Sequence, residues 1–178
     1  MNKAVKNVLI SEQDIDVKVK ELGKEISAKF DGEELVVISI LKGALVFTAD
    51  LIRELSADVV LDSMIVSSYG SGTTSSGKIK IVQDCREDLK DRNVLVVDDV
   101  IDSGNTLSQL CEFLQTREPK RLSTCVFLDK PSRRVVDFKP DYVGYEIPDA
   151  FVIGYGLDYD GKYRQLPYVA EIKEEMIK

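Results

Sequence analysis

Two adjacent carboxylates, Asp98 and Asp99, directly follow the apolar run of residues 94–97, and a short polar segment leads from them towards a predicted helix. The uninterrupted run indicates a strand covered on both faces of a parallel α/β sheet, and ligands of such sheets bind at the carboxyl ends of the strands. The polar segment offers backbone N–H groups and two hydroxyls at a helix N-terminus, where the helix dipole favours a bound phosphate. Its residues are Ser103, Gly104, Asn105 and Thr106. The pattern therefore predicts that a phosphate binds beside two acidic side chains.

This arrangement is unfavourable for a phosphate alone, because carboxylates and phosphate repel each other. Ribose hydroxyls that donate to the carboxylates would relieve the repulsion, as would a divalent cation between the carboxylates and further phosphate oxygens. A phosphorylated ribose with Mg²⁺ supplies both. The structural alternative is that Asp98 and Asp99 only end a strand and that Asp102 with Ser103 only caps a helix. The order of the whole block, from strand through acids to loop and helix, favours the sugar-phosphate site.

The absence of histidine narrows the chemistry that this chain can perform. Ser-His-Asp and Cys-His catalysis, histidine-ligated metals and an imidazole proton shuttle are excluded. A general base must then be Asp, Glu, Lys or Tyr, and Mg²⁺ with oxygen ligands is the favoured metal. The net charge of −7 opposes general attraction to nucleic acid or to an anionic membrane. An anionic substrate must therefore be bound by individually placed residues.

Length and cysteine use indicate one α/β domain in a reducing compartment. The 178 residues suffice for a full core. No apolar run approaches the roughly 20 residues of a membrane span. The three cysteines, Cys85, Cys111 and Cys125, lack C-x-x-C spacing, which favours small reduced side chains over a zinc site. We therefore expect a cytoplasmic protein with neither a membrane nor a nucleic acid as partner.

Helical and strand patterns alternate along the chain and predict a mostly parallel central sheet flanked by helices. Apolar residues recur at helical spacing from Ile15 to Phe30, after a Ser11 cap and before a stop at Asp31-Gly32. The further predicted helices are residues 44–55 and 106–116, and the predicted strands are residues 35–40, 59–66, 79–82, 94–97 and 122–128.

Two other segments lack the pattern of a buried parallel strand. Residues 67–77 are rich in Ser, Gly and Thr and too poor in apolar groups to pack, so we expect a mobile loop that acts as a lid. The alternative is that residues 67–77 form a disordered hairpin tip that has no functional role. From Tyr142 onward the pattern alternates, and turns at residues 148–149 and 160–161 predict short antiparallel strands that form a cap.

Residues 94–107 have the sequence Val-Leu-Val-Val-Asp-Asp-Val-Ile-Asp-Ser-Gly-Asn-Thr-Leu, which resembles the phosphoribosyl pyrophosphate (PRPP) binding signature of type I phosphoribosyltransferases. Leu41-Lys42-Gly43, Ser68-Tyr69, Lys130 and residues 140–159 resemble the hypoxanthine(-guanine) phosphoribosyltransferases of that family in order and spacing. The resemblance spans nearly the whole chain.

The fold that this resemblance implies is an α/β fold in which helices flank a mostly parallel central sheet and a small hood stands over it. The hood is formed mainly by the C-terminal segment and the N-terminus. Residues 1–178 would form a single phosphoribosyltransferase domain with a core at about 11–130, a hood at about 1–10 and 131–178, and a mobile loop at about 67–77.

The activity that the resemblance implies is Mg²⁺-dependent purine salvage. Phosphoribose would pass from PRPP to N9 of hypoxanthine or guanine through an oxocarbenium-like transition state, giving IMP or GMP and pyrophosphate. A Lys130 ammonium would donate to the purine O6, which favours a 6-oxopurine over adenine. Asp102 would be the general base. Family members are dimers or tetramers, so a homodimer or homotetramer is expected.

The remaining site residues also follow from the resemblance. The implied PRPP contacts are Lys42, Gly43, Ser68, Tyr69, Asp98, Asp99, Asp102, Ser103, Gly104, Asn105, Thr106 and Arg164. The implied purine site is Lys130, Phe151, which would stack on the ring, Val152 and Asp158. The implied Mg²⁺ ligands are Asp98 and Asp99 for one ion and Asp158 for the pyrophosphate-bound ion. The Leu41–Lys42 bond is where the family has a cis peptide.

One residue departs from the family pattern, and two other functions compete. Asp98 stands where many purine-specific members have Glu, so its contact with ribose is expected to run through water.

A PRPP-sensing regulator would need a basic face or an added DNA-binding segment and would lose base-binding residues. The acidic composition and the presence of Lys130 and Phe151 oppose it. A xanthine phosphoribosyltransferase would keep the chemistry and change the base.

Overall fold

Strands and helices alternate along most of the chain in the computed structural model, which describes residues 2–68 and 79–177. The strands are β1 (Val5–Ile10), β2 (Glu34–Leu41), β3 (Asp58–Ser68), β4 (Ile79–Gln83), β5 (Asn93–Ile101), β6 (Arg121–Asp129), β7 (Tyr142–Glu146), β8 (Val152–Ile153) and β9 (Val169–Ile172). The helices are α1 (Glu12–Phe30), α2 (Leu45–Arg53) and α3 (Asn105–Gln115), and short 3-10 turns lie at Pro131–Arg133 and Glu174–Met176.

A six-stranded sheet with the order β4-β3-β2-β5-β6-β7 occupies the centre of the molecule. Every neighbouring pair in it is parallel except β3 and β4. The predicted mostly parallel α/β sheet is thereby confirmed. Strand β5 lies in the interior of this sheet, between β2 and β6, so the carboxylates that it carries are placed between two neighbouring strands.

The apolar side chains of the central strands enter two cores, one on each face of the sheet. In β2, Leu35 and Val37 belong to the core beneath α1 and α2, whereas Val36 and Ile38 belong to the core beneath α3. This is the alternation that a strand imposes on successive residues. Residues 94–97 of β5 have no exposed surface at all. Their uninterrupted apolar run therefore reflects burial on both faces, as predicted.

Helix α1 begins and ends at the predicted signals. The Ser11 Oγ accepts from the Asp14 N–H at 3.2 Å, and the Asp14 carboxylate accepts from the Ser11 N–H at 3.4 Å, which is a capping box. The apolar stripe of α1 is buried in the core: Ile15, Val19, Leu22, Ile26 and Phe30. Gly32, with φ of +70°, turns the chain after the helix.

A second, three-stranded antiparallel sheet has the order β1-β9-β8 and joins the N-terminal segment to the C-terminal segment. This is the predicted hood. The prediction that everything from Tyr142 onward forms antiparallel strands is wrong for β7, which pairs in parallel with β6 at the edge of the large sheet. An edge strand is partly exposed, so its sequence alternates like that of an antiparallel strand.

Two strands extend by two or more residues beyond their predicted carboxyl ends. Strand β5 does not stop before the acids but continues through Asp98 and Asp99 to Ile101, because pairing with β6 extends to Ile101 and Asp129. Strand β3 includes residues 67 and 68, which were assigned to the mobile loop. Residues 69–77 of that predicted loop lie outside the described residues.

None of the helices in the described part of the chain combines the length and apolar character needed to cross a bilayer.

Candidate active site

A cavity of about 290 Å³ opens at the carboxyl ends of β2 and β5. It contains many of the residues that the sequence assigned to PRPP: Gly43, Asp98, Asp99, Asp102, Ser103, Gly104 and Thr106. The rest of its described lining is Ile40, Leu41, Val66, Val100, Ile101 and Leu107. Polar groups from β5 and from the loops after β2 and β5 thus converge in one cavity, where placed polar groups can fix the orientation of a small ligand.

Asp98 and Asp99 lie side by side in β5 and are poorly solvated. Burial, followed by the charge of Asp99, raises the pKa of Asp98 well above its usual value. Burial also raises the pKa of Asp99, although hydrogen bonds and the charge of Arg164 act in the opposite direction. The Asp98 carboxylate accepts the Asp99 N–H at 3.0 Å, and the Asp99 carboxylate accepts the Val100 N–H at 2.9 Å. A cation or hydroxyl donors would supply the compensation that these carboxylates lack.

The loop between β5 and α3 turns sharply at Gly104, whose φ of +83° suits glycine. A Cβ at this position would lie 2.8 Å from Cδ of Arg134, so the Arg134 side chain packs closely against the loop. Ser103 Oγ accepts the Asn105 N–H at 3.3 Å, and α3 begins at Asn105. The first N–H groups of an α-helix have no partner within the helix. The loop and the helix therefore form a compact N–H-rich end, with Ser103, Gly104 and Thr106 in the cavity wall.

Asp102 and Lys130 face each other beside the cavity. Lys130 is 8% exposed, and its Nζ lies 3.3 Å from Oδ1 of Asp102. The same Oδ1 is buried and accepts no hydrogen bond within the described part of the molecule, because the contact has ion-pair distance without hydrogen-bond geometry. The Lys130 N–H donates to the Ile101 carbonyl at 3.0 Å, which fixes the lysine backbone to β5. The Asp102 carboxylate, an acceptor, and the Lys130 ammonium, a donor, thus lie next to each other beside the cavity.

The loop after β2 approaches Asp99 very closely. The Leu41–Lys42 peptide bond is cis, as the family resemblance implies. A Cβ on residue 43 would lie only 1.8 Å from Oδ2 of Asp99, so any other residue here would displace the Asp99 carboxylate or the loop. The Lys42 side chain is exposed and does not line the cavity.

Residues 154–166, which we call the strap, connect β8 to the segment before β9 and contain Asp158 and Arg164. The guanidinium of Arg164 lies 2.6 Å from Oδ1 of Asp158 and also donates to the Gly156 carbonyl at 2.6 Å. Oδ2 of Asp158 accepts the Gly161 N–H at 2.8 Å. Neither Asp158 nor Arg164 lines the cavity. Within residues 2–68 and 79–177, no group of three or more His, Cys, Asp or Glu side chains is placed to hold a metal ion.

The two remaining purine-site candidates lie in the hood. Phe151 is 47% exposed, which argues against a role as core filler, and its ring meets the edge of Tyr159 at 5.4 Å between centroids. Val152 is buried in β8. Neither residue lines the cavity. Tyr69 lies outside the described residues, and Ser68 is described only as part of β3.

Comparison with protein families matches residues 7–160 to the phosphoribosyl transferase domain. The chain belongs to the phosphoribosyltransferase family. This match includes β2, β5 and α3, whose residues contribute most of the cavity wall.

Individual relatives of this phosphoribosyltransferase are similar over almost their full length. It is 47% identical to the hypoxanthine-guanine phosphoribosyltransferase of Bacillus subtilis, over 97% of this chain and 96% of that protein. A crystal structure of a Bacillus anthracis hypoxanthine-guanine phosphoribosyltransferase has 48% identity and a TM-score of 0.92, covering 95% and 99% of the two chains. A Staphylococcus aureus hypoxanthine phosphoribosyltransferase has 41% identity and a TM-score of 0.95, covering 98% and 95%.

Arg134 is the residue of this phosphoribosyltransferase site that the sequence analysis missed. Its Nε donates to the Asp102 carbonyl at 3.0 Å, Nη1 donates to the Phe138 carbonyl at 2.6 Å, and Nη2 pairs with the Asp129 carboxylate. The guanidinium thereby supports the loop from below. Its neighbour Arg133 is exposed and pairs with Asp149. Two adjacent arginines carry no sequence signal that separates these roles.

Proposed function

We propose that this phosphoribosyltransferase transfers phosphoribose from PRPP to N9 of a 6-oxopurine, hypoxanthine or guanine, and releases pyrophosphate with IMP or GMP. The similarity to hypoxanthine(-guanine) phosphoribosyltransferases supports the reaction class. The observation that carries the proposal within the site is the buried, unsatisfied Oδ1 of Asp102 beside Lys130. A 6-oxopurine complements this pair, because it offers an N–H to the carboxylate and an oxygen to the ammonium.

The proposed reaction divides the site by charge. The 5-phosphate binds to the N–H groups and hydroxyls of residues 103–106, where a helix N-terminus stabilises an anion. The ribose hydroxyls donate to Asp98 and Asp99, directly or through water. As the bond from C1 to pyrophosphate breaks, the nearby carboxylates stabilise the positive charge that develops on the ribose. No covalent intermediate with the protein is required.

Proton removal from the purine is assigned to Asp102. Its side chain is partly exposed beside the cavity, and the ammonium of Lys130 keeps a positive charge 3.3 Å from its buried Oδ1. When the purine binds, Lys130 donates to O6, and Asp102 takes the proton from the ring nitrogen N7 as N9 forms the new bond. Phe151 supplies an exposed aromatic face for stacking, and Val152 offers its backbone to the ring edge.

The donor set around the carboxylates fits Mg²⁺. Two poorly solvated aspartates in one cavity are hard oxygen ligands, and Mg²⁺ commonly binds one or two carboxylates together with substrate phosphates and waters. Asp98 and Asp99 would hold one ion, and Asp158 would contribute to a second. When bound, Mg²⁺ would neutralise charge on the departing pyrophosphate. Lys42, Gly43 and Arg164 are the proposed protein contacts of that pyrophosphate, and residues 68–69 belong to the proposed covering loop.

The deciding experiment is nucleotide formation from PRPP and Mg²⁺ with hypoxanthine, guanine, xanthine or adenine. We expect turnover with hypoxanthine or guanine and little with adenine, because the ammonium would face the amino group of adenine. Turnover with xanthine alone would change the assigned base. Binding of PRPP by calorimetry without nucleotide formation from any base would contradict the enzyme and support a PRPP-sensing regulator.

The oligomeric state and the cellular location of the protein are predicted from the family resemblance and from the sequence. We propose that the protein is a cytoplasmic homodimer or homotetramer, that one domain spans residues 1–178, and that it binds neither nucleic acid nor membranes. Light scattering coupled to gel filtration would measure the mass of the assembly directly.

A further inference from the structure

Tyr155 has an unfavourable backbone conformation and a side chain that is buried and hydrogen-bonded. Its φ is +50°, between two glycines whose φ values are +96°. A bulky residue adopts this region only where its surroundings fix it. The ring is buried against Phe127, at 4.9 Å between centroids, and near Phe47, at 6.4 Å. These contacts fix Tyr155 within the core beneath α1 and α2.

The hydroxyl of Tyr155 connects the strap to helix α2. It donates to Oδ2 of Asp50 at 2.9 Å. Burial, together with the charge of Asp50, raises the pKa of Tyr155, so the phenol stays protonated and remains a donor. A hydrogen bond to a charged acceptor is stronger than one between neutral groups.

The same part of the strap presses on the loop that carries Gly43. A Cβ on Gly156 would lie 2.2 Å from the Gly43 carbonyl oxygen, and a Cβ on Gly43 would lie 1.8 Å from Oδ2 of Asp99. Gly156, Gly43 and Asp99 therefore pack directly on one another, and a side chain on either glycine would displace its neighbour. The strap carries Arg164 with it, because the Gly156 N–H donates to the Arg164 carbonyl at 3.0 Å and the Arg164 side chain returns to the Gly156 carbonyl.

We propose that Tyr155 is a positioning residue for the leaving group: its hydrogen bond to Asp50 fixes the strap on α2 and thereby places Arg164 and Asp158 against the pyrophosphate end of PRPP. Tyr155 itself touches no substrate. Because the assignment of Arg164 and Asp158 to pyrophosphate belongs to the proposed function, the inference rests on that function. Its signature is a larger effect on PRPP than on the purine, because Lys130 and the loop of residues 102–106 lie outside the strap, although Tyr159 of the strap contacts Phe151 of the proposed stacking site.

The test compares Tyr155→Phe with Tyr145→Phe. Both variants lose one phenolic hydrogen bond, but the Tyr145 hydroxyl donates to the Asp14 carbonyl at 3.0 Å, away from the strap. Tyr155→Phe is expected to raise KM for PRPP about tenfold, the effect of losing one hydrogen bond to a charged group, and to raise KM for hypoxanthine by a smaller factor. Asp50→Ala should give the same change, and the double variant should add nothing to it. Tyr145→Phe should leave both KM values unchanged.

Amide hydrogen exchange tests the positioning without any reliance on turnover. Tyr155→Phe and Asp50→Ala should speed exchange in residues 154–166, and Tyr145→Phe should not. Unchanged exchange in the strap would overturn the proposal whatever the activity. Equal rises in KM for PRPP and hypoxanthine, or a loss of thermal stability with no change in KM, would also overturn it. Failure of the parent protein to make any nucleotide would instead reject the proposed function, while faster exchange would still establish that Tyr155 fixes the strap.

Discussion

Gly43 and Asp99 approach each other so closely that a Cβ on residue 43 would lie 1.8 Å from Oδ2 of Asp99. The two residues come from neighbouring parallel strands, since Gly43 follows β2 and Asp99 lies in β5. The contact links the loop assigned to pyrophosphate with the carboxylate assigned to ribose and Mg²⁺. Any side chain at position 43 must displace one of them.

Substitution Gly43→Ala is therefore expected to lower kcat/KM for PRPP by about 10² or more, since the misplacement of a positioned group by about 1 Å costs on that order. Steady-state kinetics would measure it. Gly32→Ala is the control, because Gly32 has a φ of +70° but no atom of residues 2–68 or 79–177 within 4 Å of its added Cβ. That variant should lose some stability through backbone strain and keep its KM for PRPP. Equal effects of both substitutions on kcat/KM would contradict the account of Gly43.

Substitution Asp102→Asn tests the general base. The amide keeps the size of the side chain and its place beside Lys130 but cannot accept a proton. We expect kcat to fall by roughly 10² or more, with the affinity for PRPP largely retained. Single-turnover measurement of nucleotide formation would separate chemistry from product release. A variant that turns over as fast as the parent would remove Asp102 from this role.

Substitution Arg134→Met tests the role of Arg134 in holding the loop that is assigned to phosphate. The side chains of Arg134 and Asp129 are 16% and 10% exposed, so removal of the guanidinium leaves a buried carboxylate without its partner. Urea denaturation should show a loss of about 3–5 kcal/mol in the free energy of unfolding. KM for PRPP should rise as well, because the Asp102 carbonyl loses its donor.

The neighbouring pair provides the control for that loss. Arg133 and Asp149 have side chains that are 50% and 55% exposed. Arg133→Met should change the free energy of unfolding by no more than about 1 kcal/mol, as expected for a solvent-exposed ion pair. Similar losses in the two variants would show that burial of the Arg134 pair is unimportant.

Asp62 should make the stability depend on pH in the acid range. Burial alone would raise the pKa of this carboxyl, but the N–H groups of Glu87, Ser63 and Arg86 donate to it and bring the pKa below its usual value. Because the folded pKa is lower than the unfolded one, the stabilisation is complete above the unfolded pKa and is lost as the pH falls through the folded pKa.

Substitution Asp62→Asn should accordingly lower the free energy of unfolding by about 1–3 kcal/mol at pH 7. The difference from the parent should shrink as the pH falls below about 4, where the aspartate of the unfolded chain takes up its proton, and should be lost below the lower pKa of the folded protein. Urea titrations at several pH values would show this convergence. Asp88→Asn, at an exposed aspartate that accepts one N–H at 3.1 Å, should have a much smaller effect throughout. A constant difference between Asp62→Asn and the parent at all pH values would reject the linkage.

Local patterns predicted the parts of this molecule that depend on neighbouring residues in sequence. The capped α1, the run 94–97 buried on both faces, and the loop that opens α3 were all evident from spacing and residue type. The family resemblance predicted the cis bond at Leu41–Lys42 and the hood. The functional roles of the site residues stay predictions until the substitutions above are made.

Contacts between distant residues account for what the sequence did not predict. Tyr155 and Asp50 are 105 positions apart, and no local pattern reveals that their side chains meet. Arg133 and Arg134 are chemically identical neighbours, and only packing decides which of them lies under the loop. The parallel pairing of β7 was missed because partial exposure at a sheet edge gives an alternating sequence.

Pairing of β1 with β9 has a consequence for biosynthesis. Val5 pairs with Ile172. Strand β1 is therefore made before β9, and it can pair only after the chain has been made as far as Ile172. Strands β2, β3, β5 and β6, with the residues assigned to the sugar phosphate, are complete before then. A nascent chain can thus assemble the half assigned to ribose first, and the half assigned to the leaving group closes only after β9 has been made.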